Sequence, residues 1–387
     1  MIAHVLTSNR MGGIASLVLP ALRDLGLPVR ATFLVEERCG AAGRGSVERA
    51  ARLGLDFDEI RVRSRLDLGA VRELADLLAW HRPVIAHGHD AKASTYLLAA
   101  ARLAGSAAAL VSTHHGIHGR PDLRTRFYER LYAHAMLRGF DRVLAVSAAD
   151  QRELESLLGA GKVHLHLNGA DAVRVAEDER ARRAAEIRRG WPLPASARAP
   201  GTLLVGIVGR LSREKRHGRA LQVAAALAER DPALAWHLVC FGAGPLEGKL
   251  RARVDALGLR SRASFLGFRA DIGDELAGFD VLLSLSDAEG LPVNLIEAGW
   301  AGTPVLATHV GGVGDLLGDP PAGVLVDRDA TPGAMAAALH GLLAAAPLRA
   351  QLGRALQARV EVSFSRAAWI DRLRGLYSPW IAEEARV

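Results

Sequence analysis

The feature that most constrains the fold is a regular alternation of short apolar, β-branched runs with Ala/Leu/Arg-rich helical stretches. Parallel strands need a crossover segment between them, usually a helix, so this alternation predicts an α/β protein. The candidate strands of the first half are Ile2–Ser8, Val29–Val35, Val84–His89, Ala109–His115, Arg142–Ser147 and Lys162–Leu167. Those of the second half are Leu203–Val208, Trp236–Phe241, Ala263–Phe268, Val281–Ser286, Pro304–His309 and Gly323–Val326. We expect one doubly wound parallel sheet in each half.

The length of 387 residues also favours two domains. A charged stretch at 178–189, followed by a proline-rich segment, interrupts the alternation. We therefore predict a first domain at 1–172, a linker region at 173–200 and a second domain at 201–365. Residues 366–387 carry apolar side chains at helical spacing, and we expect this helix to pack back on the first domain.

Composition argues against several classes of protein. Aromatic residues make up only 5% of the chain, which leaves few rings to stack on bases, so we expect no nucleic-acid partner. The two cysteines, Cys39 and Cys240, lie far apart in sequence and favour buried free thiols in a reducing cytoplasm. The most apolar stretch, 96–111, is interrupted by Arg102 and is too short to span a bilayer.

The net charge of +7 comes from 49 Lys and Arg against 42 Asp and Glu spread along the chain, which is typical of a solvated surface. The segment 120–142 is different, because it combines six arginines with only three acidic residues and several aromatic and leucine side chains. It is either an ordinary domain helix or a helix that contacts an anionic membrane. The expected location is cytoplasmic, with at most peripheral contact on the inner face of the plasma membrane.

Two loops that follow candidate strands suit an anionic ligand. Gly12 and Gly13 would let backbone amides at a helix N-terminus approach an anion, although a tight turn without a ligand explains them equally well. The segment 209–216 places four cations directly after the strand 203–208. Ligands of doubly wound sheets bind beyond the carboxyl ends of strands, so these cations lie where a diphosphate would bind. A solvated basic loop is the alternative.

Two carboxylates eight positions apart, Glu289 and Glu297, form the most informative pattern. Glu289 stands on a Gly/Pro loop, whereas Glu297 falls inside an apolar helical run, on the side of Val293 and Ile296 that we expect to be buried. A buried carboxylate needs hydrogen-bond donors, and the hydroxyls of a sugar or ribose are suitable ones. The alternative is a carboxylate that pairs with an internal cation or caps a helix.

Histidine pairs end two candidate strands of the first half, His87 with His89 and His114 with His115. Parallel strands would bring them to one edge of the sheet, where hydrogen bonding to a polar ligand is expected rather than zinc binding, because no carboxylates stand nearby at matching spacing. Asp-x-Asp triplets at 56–58 and 327–329 could hold a divalent ion elsewhere, but we interpret them as surface turns. We therefore predict no metal.

Several motifs in order resemble the retaining nucleotide-sugar glycosyltransferases of family 4, which have the GT-B architecture of two Rossmann-like domains facing across a cleft. The most specific is E-G-L-P-V-N-L-I-E-A at 289–298, which is similar to the E-x7-E signature of that family. The other motifs of the second half are G-R-L-S-R-E-K at 209–215, F-G-A-G-P at 241–245, F-L-G-F at 265–268 and T-P-V-L-A-T-x-V-G-G at 303–312. Those of the first half are T-H-H-G at 113–116, A-V-S at 145–147 and N-G-A-D at 168–171.

The resemblance implies a donor site in the second domain. Arg210 and Lys215 would bind the diphosphate of a UDP- or GDP-linked sugar and stabilise the charge that grows as the bond to phosphate breaks. Backbone amides of Leu291 and Val293 would add to this, because Gly290 permits close approach. Glu289 would hold hydroxyls of the transferred sugar and Glu297 those of the ribose. Phe268 and Arg269 would flank the base.

The resemblance also implies an acceptor side in the first domain, where His115 would lie beside the reacting sugar. Gly12, Gly13, His89 and Asn168 would bind acceptor or approach the diphosphate. The reaction would be a front-face transfer of a hexose with retention, in which the departing phosphate takes the acceptor proton and no cofactor or metal takes part. Leu291 departs from the family pattern, which more often has an aromatic residue there, and the doublet His114-His115 leaves the functional histidine open by one position.

The implied function is sugar transfer to a hydroxyl of a glycan, lipid-linked saccharide or small molecule, in the synthesis of cell-surface polysaccharide or glycoconjugates. Three alternatives stay open at the level of sequence: a nucleotide-sugar 2-epimerase of the same fold, a non-catalytic sugar-nucleotide or polysaccharide binding protein, and an NAD-dependent dehydrogenase, which the missing G-x-G-x-x-G disfavours. Base, sugar, acceptor and oligomeric state are not readable from the residues.

Overall fold

The computed structural model describes residues 1–8, 13–115 and 135–384. The chain divides into two compact units, unit 1 with Met1–Gly169 and Arg366–Val387, and unit 2 with Ala170–Ser365. Each unit is built on its own parallel sheet. The chain therefore leaves unit 1 once, completes unit 2 as a continuous segment, and returns to unit 1 for its last helix.

Unit 1 contains seven parallel strands in the order β3-β2-β1-β4-β5-β6-β7. Their bounds are β1 Ile2–Ser8, β2 Val29–Glu36, β3 Phe57–Val62, β4 Ile85–Gly88, β5 Ala109–His114, β6 Arg142–Ala145 and β7 Val163–Leu165. The main described helices are Gly13–Asp24, Gly45–Arg52, Leu68–His81, Ala91–Ala104, Ala148–Leu158 and Arg366–Glu384. Short 3-10 turns lie at Glu37–Arg44, Leu137–Gly139 and Ala160–Lys162.

Neighbouring residues along the strands of unit 1 enter two separate cores, because side chains of a strand alternate between the faces of the sheet. Val5 and Leu34 lie in one core, and Leu6 and Phe33 lie in the other. Both faces are covered by helices, which is why these strands are apolar without a polar face. The C-terminal helix adds Trp369 and other buried side chains to the second core.

Unit 2 contains six parallel strands in the order β10-β9-β8-β11-β12-β13. Their bounds are β8 Leu203–Val208, β9 Trp236–Phe241, β10 Ala263–Gly267, β11 Val281–Ser284, β12 Val305–Thr308 and β13 Val324–Val326. The helices are Arg180–Gly190, Ala195–Arg198, His217–Arg230, Glu247–Ala256, Val293–Trp300, Val313–Leu317, Pro332–Ala344 and Ala346–Ser363, with a 3-10 turn at Ile272–Gly278. One core cluster joins apolar residues of the strands, such as Val205 and Leu283, to helix residues such as Leu227 and Leu339.

The expected fold class is confirmed, with two doubly wound parallel α/β domains. One strand, β3, was missed, and as a result the interpretation of the first Asp-x-Asp triplet as a surface turn is wrong at Asp58. This residue lies inside β3, and its carboxylate accepts hydrogen bonds from the Arg30 guanidinium at 2.7 and 3.1 Å. The strand is hard to recognise because Phe-Asp-Glu-Ile-Arg-Val pairs on one side only, as an edge strand in which Asp58 and Glu59 are half-exposed and Arg61 is exposed.

Residues predicted as a linker, 173–200, belong to unit 2 and include the helix Arg180–Gly190. Of the basic segment 120–142, residues up to 134 lie outside those the structure describes. Arg142 is not part of a membrane-facing helix, since it lies in β6 with its guanidinium 4.5 Å from the centre of the Trp380 ring. Within the described ranges, no helix is both long and apolar enough to cross a bilayer.

Both cysteines are free thiols, as expected, and Cys240 is buried. Cys39 is only half-buried, so the expectation that both lie in the core is wrong for this residue. The reason is its place in the 3-10 turn Glu37–Arg44, which follows the carboxyl end of β2, so Cys39 does not lie within a strand.

Candidate active site

The order of strands in unit 2 fixes where a ligand can bind. β8 pairs with β9 on one side and β11 on the other, so the chain winds outward in opposite directions from the β8–β11 pair. In sheets of this kind the loops at the carboxyl ends of the two central strands separate and leave room for a ligand. The loop 209–216 follows β8 and the loop 285–292 follows β11, so the two charged segments found in the sequence lie at this point.

Lys215 and Glu289 meet in this place. Lys215 Nζ donates to Glu289 Oε1 at 2.6 Å, and the Ser286 hydroxyl donates to the same oxygen at 2.6 Å. The Glu289 side chain is only 9% exposed, so its charge depends on these donors. The structure thus brings together two predicted site residues, but as partners of each other, which is the ion-paired arrangement that the sequence left open for this carboxylate.

Arg210 lies on the outside of the same loop. Its side chain is 68% exposed, and its guanidinium reaches Glu214 Oε1 at 3.0 Å. The Ser212 hydroxyl donates to that oxygen at 2.6 Å. Burial acts to raise the pKa of Glu214, but the hydrogen bonds from Ser212, its own backbone and Arg210 outweigh it and lower the pKa to about 2. Arg210 is therefore held by an ionised carboxylate and remains open to a second anion.

Asp287 is a residue that the sequence reasoning did not single out. Its carboxylate accepts from Arg219 Nη2 at 2.8 Å and from Arg216, and its backbone N–H donates to the Glu214 carbonyl at 2.9 Å. These contacts tie the loop after β11 to the loop after β8. Its position two residues before Glu289, opposite an Arg-rich loop, was the available signal.

Glycines let the two loops approach closely. Gly311 has a φ of +49°, and a Cβ at this position would lie 1.7 Å from the Glu289 carbonyl oxygen. Gly312 N–H donates to the Gly290 carbonyl at 2.5 Å. The V-G-G segment after β12 therefore packs directly against the E-G loop. This contact fixes the position of the buried Leu291 and of the start of the helix at Val293.

Glu297 was expected on the buried side of its helix, and this is wrong. Leu295, Ile296 and Ala298 are fully buried, whereas Glu297 and Val293 are half-exposed on the other side. A Cβ at Gly273 would lie 3.3 Å from the Glu297 carboxyl carbon, so this carboxylate lies against the turn Ile272–Gly278. The turn covers this side of the helix only in part, which the sequence pattern around 293–297 does not reveal.

Phe268 and Arg269 follow β10 at the edge of the sheet. Phe268 is 61% exposed, whereas Phe241 and Phe279 of the same unit are buried. The Arg269 guanidinium lies 5.8 Å from the centre of the Phe241 ring and 3.6 Å from Glu275. An exposed ring beside an anchored cation can take a planar aromatic ligand.

The predicted histidine group of unit 1 is more buried than expected. His87 and His89 are fully buried, together with His4, which the sequence reasoning missed although it stands opposite His87 in the β1–β4 register. His87 bonds to the Tyr377 hydroxyl at 2.5 Å and to Thr113 Oγ1 at 2.7 Å, and His4 Nδ1 lies 2.8 Å from His89 Nε2. The expectation that these pairs bind a polar ligand is wrong for His87, because protein groups take both of its nitrogens.

His4, His87 and His89 also form a group whose ligand atoms lie within 4.8 Å of one another. The rings of His87 and His89 stack at 4.1 Å, whereas His4 and His89 face each other through nitrogens that lie 2.8 Å apart. Lone pairs of stacked rings do not converge on one point, and His87 would have to give up a hydrogen bond to bind a metal. Burial, with smaller contributions from the neighbouring histidines, holds the pKa of His87 and His89 well below the usual value, so the group is neutral.

The other residues expected on the acceptor side are also in unit 1. His115 follows β5 and is half-buried, as is His114, while Asn168 is buried after β7. Gly13 begins the first helix. Gly12 and Gly116 lie outside the described residues.

Two family models match the chain, one in each half. The model described as "Glycosyltransferase Family 4" matches residues 19–174, and the model described as "Glycosyl transferases group 1" matches residues 194–359. The motifs at 209–215 and 289–298 fall inside the second match. Each match covers most of the corresponding parallel sheet.

Among curated relatives, the chain is 30% identical over 282 residues to a D-inositol 3-phosphate glycosyltransferase of Nocardiopsis dassonvillei, covering 70% of this chain and 62% of that one. It is 30% identical over 244 residues to the putative glycosyltransferase EpsF of Bacillus subtilis, covering 61% and 60%. The matched part thus spans about three fifths of the length of these relatives. Among solved structures, Anabaena Alr3699/HepE in complex with UDP-glucose is similar with a TM-score of 0.80 and 19% identity, over 98% of this chain and 100% of that one. This last likeness concerns the fold.

Proposed function

Since the chain belongs to the family 4 glycosyltransferases of group 1, we propose that it transfers a sugar from a nucleotide-diphosphate sugar to a hydroxyl group. The observation that carries the proposal is the Lys215–Glu289 pair beside Arg210, at the point of unit 2 where the strand order reverses. A cation and a carboxylate in one place suit a substrate that carries phosphates and hydroxyls on adjacent groups.

In the proposed complex the Lys215 ammonium group leaves the Glu289 carboxylate and binds the donor diphosphate. Lys215 and Arg210 then neutralise the charge that develops on the leaving phosphate, and Glu289 accepts hydrogen bonds from hydroxyls of the sugar. Lys215 and Glu289 thus each have a polar partner both before and after the donor binds. Glu297, on the half-exposed side of its helix, would accept from the ribose, and the exposed Phe268 ring with Arg269 would flank the base.

We propose transfer with retention, by a front-face reaction in which the departing phosphate oxygen takes the acceptor proton. The proton then moves to a group that becomes more basic as the glycosidic bond breaks. The acceptor residues are assigned to unit 1, around His115 and Asn168, on the resemblance alone. Acceptors in glycan, lipid-linked saccharide or small-molecule classes, the role in surface polysaccharide synthesis and any membrane contact are part of the same proposal.

A thermal-shift screen of UDP-, GDP-, ADP- and dTDP-sugars tests donor binding, because a ligand that binds the folded state raises its melting temperature. We expect one base to give the largest rise, and UDP-glucose is the first compound to test, since a structural relative was solved with it. Lys215→Gln should abolish the rise. The bound donor, incubated without acceptor and followed by NMR, should stay intact or hydrolyse slowly. Conversion of its sugar to an epimer would contradict the transferase proposal.

We also propose that the reaction needs no divalent ion. The cations Lys215 and Arg210 supply the charge that a metal would otherwise supply to the leaving group. Of the two Asp-x-Asp triplets, Asp58 is engaged by Arg30, and Asp327 accepts from the backbone of Asp329 at 2.6 Å. Turnover in EDTA should equal turnover without it. A strict requirement for Mn²⁺ or Mg²⁺ would overturn this part.

A further inference from the structure

A cavity of about 180 Å³ lies in unit 2 at the opposite end of the sheet from the candidate active site. Asp280 and Pro304, which precede β11 and β12, form one wall, and residues of the helix Ala346–Ser363 form the other. Strand β11 separates the two places by its own length, about 13 Å for four residues. The cavity is therefore distinct from the donor loops.

Arg180 is a half-buried cation that lines this cavity. Its Nη2 reaches the Phe279 carbonyl at 3.3 Å and Thr303 Oγ1 at 3.4 Å, both long contacts. Burial lowers the pKa of Arg180 to about 10, an effect that the nearby Asp280 only partly offsets. The guanidinium is still charged at neutral pH, and it lacks a bidentate carboxylate partner among the described residues.

Two glycines make room for this guanidinium. A Cβ at Gly302 would lie 3.0 Å from Arg180 Nη1, and a Cβ at Gly353 would lie 3.3 Å from the same atom. The Gly302 turn and the helix Ala346–Ser363 can therefore close around Arg180 without displacing it. The local backbone accommodates a half-buried positive charge at this position.

The carboxylates that line the cavity have other cations as partners. Asp280 Oδ2 accepts from Arg188 Nη2 at 2.7 Å and from the backbone N–H of Leu204 at 2.7 Å. Glu177 pairs with Arg354 at the exposed rim.

Arg349 also lines the cavity. Its Nη1 donates to the carbonyls of Leu342 and Leu343 at 2.8 and 2.5 Å, which are neutral groups. The cavity thus has positive charge in excess, from Arg180 and Arg349.

We propose that this cavity binds a phosphate dianion, free or as a monoester, through Arg180 and Arg349. A volume of 180 Å³ admits a phosphate and a few waters, since a water occupies about 30 Å³ in the liquid. Planar guanidinium groups match the oxygens of phosphate in geometry and charge. The site does not depend on the donor loops, so it can be occupied whether or not a nucleotide sugar is bound.

The test is calorimetric titration of the full chain with inorganic phosphate at constant ionic strength. The background is the double variant Arg210→Gln/Lys215→Gln, which removes the cations of the donor loop. We expect binding to persist in this background and to weaken at least about tenfold when Arg180→Gln or Arg349→Gln is added, as for loss of a charge-assisted contact. The matched control is Arg251→Gln, an arginine paired with Glu247 on the surface of unit 2, which should leave binding unchanged.

Circular dichroism and melting in chloride show whether each variant folds. If Arg180→Gln does not fold, Arg349→Gln decides, because the hydrogen bonds that the Arg349 guanidinium makes within the described part of the chain go to carbonyl groups at a helix end. Absence of phosphate binding in the background overturns the proposal, as does an Arg349→Gln variant that titrates like Arg251→Gln. A parallel titration with glycerol 2-phosphate distinguishes the free ion from a monoester by which of the two binds more tightly.

Discussion

At the scale of single residues, Lys215 and Glu289 neutralise each other. Without a partner, the Glu289 carboxylate would destabilise the folded state, because it is almost fully buried. Pairing removes this cost, and Ser286 holds the carboxylate in place with a further hydrogen bond. A ligand that binds here must compete with this existing ion pair. Its affinity therefore depends on the contacts that replace the pair.

The first prediction concerns Glu289→Gln, which keeps the shape of the side chain and removes its charge. We expect kcat/KM to fall at least about 100-fold, since hydroxyls of the sugar lose a charged acceptor. The loss of stability should be about 1–2 kcal/mol, because Gln can still accept from Ser286. Steady-state kinetics and urea unfolding measure both effects.

The matched control for this variant is Glu247→Gln on the surface of unit 2, where the glutamate pairs with Arg251. It should alter neither activity nor stability by a measurable amount. If Glu289→Gln lost activity only in proportion to its loss of folded protein, Glu289 would have a structural role alone.

The buried histidines of unit 1 predict a dependence of stability on pH. Burial lowers the pKa of His4 to about 3, and the pKa of His87 and His89 also lies well below 6.5. Below pH 6.5 the unfolded chain binds protons that the folded chain does not, so the free energy of unfolding decreases as the pH falls. Above that pH these groups are neutral in both states and contribute no slope.

We expect each such histidine to contribute a slope of about 1.4 kcal/mol per pH unit between pH 6.5 and its folded pKa. Urea unfolding at pH 5, 6 and 7 tests this, in a range above the titration of most carboxylates. His4→Gln should reduce the slope by about one such contribution. An unchanged slope in His4→Gln would mean that His4 is protonated in the folded protein.

At the scale of elements, the candidate active site depends on how closely loops after neighbouring strands pack. A Cβ at Gly242, after β9, would lie 1.9 Å from the Gly209 carbonyl oxygen, after β8. The F-G-A-G-P motif is therefore explained by backbone contact with the G-R-L loop. Asp287 adds the second restraint, from the loop after β11. The two central strand ends thus hold Lys215 and Glu289 in one place through backbone and charge together.

Gly242→Ala should accordingly destabilise unit 2 by roughly 2–3 kcal/mol or more, since neither backbone segment can move aside as a flexible side chain could. Gly248→Ala is the matched control, because Gly248 is exposed in the helix Glu247–Ala256 with open space around it. It should stabilise by roughly 0.5–1 kcal/mol. Thermal unfolding measures both, and equal stability of the two variants would contradict the close contact.

At the scale of the whole molecule, the chain crosses between its units twice, and only unit 2 is continuous in sequence. Unit 1 needs the C-terminal helix, which supplies Trp369, Leu373 and Tyr377 to its core and the hydroxyl that bonds to His87. Each of these side chains contributes roughly 1.5–3 kcal/mol by burial. The two units should therefore differ in their ability to fold from a fragment.

We predict that residues 170–365, expressed alone, unfold cooperatively in urea, and that residues 1–169 alone do not. Co-expression of 1–169 with 366–387 should restore a cooperative transition, because the helix then completes the second core of unit 1. Circular dichroism during urea unfolding measures each case. A cooperative transition of 1–169 without the helix would show that its core is complete already.

The sequence by itself determined the α/β class, the two sheets and the identity of most strands, because apolar runs and helical periods are local properties of the chain. The motifs at 209–215 and 289–298 could be recognised from the sequence for the same reason, because each is a short run of consecutive residues. Edge strand β3 was missed, since three of its six residues are charged and none of these three is buried, so the segment looks like a loop until a neighbour pairs with it.

Only the tertiary structure decided which charges meet. Lys215 and Glu289 are 74 positions apart, and Tyr377 and His87 are 290 apart. The half-exposed position of Glu297 likewise depends on which helices and turns pack against its helix. The same is true of the arginine-lined cavity at the far end of the sheet. Contacts of this kind arise when separate segments pack together, and no local pattern specifies the partner that a side chain finds across the fold.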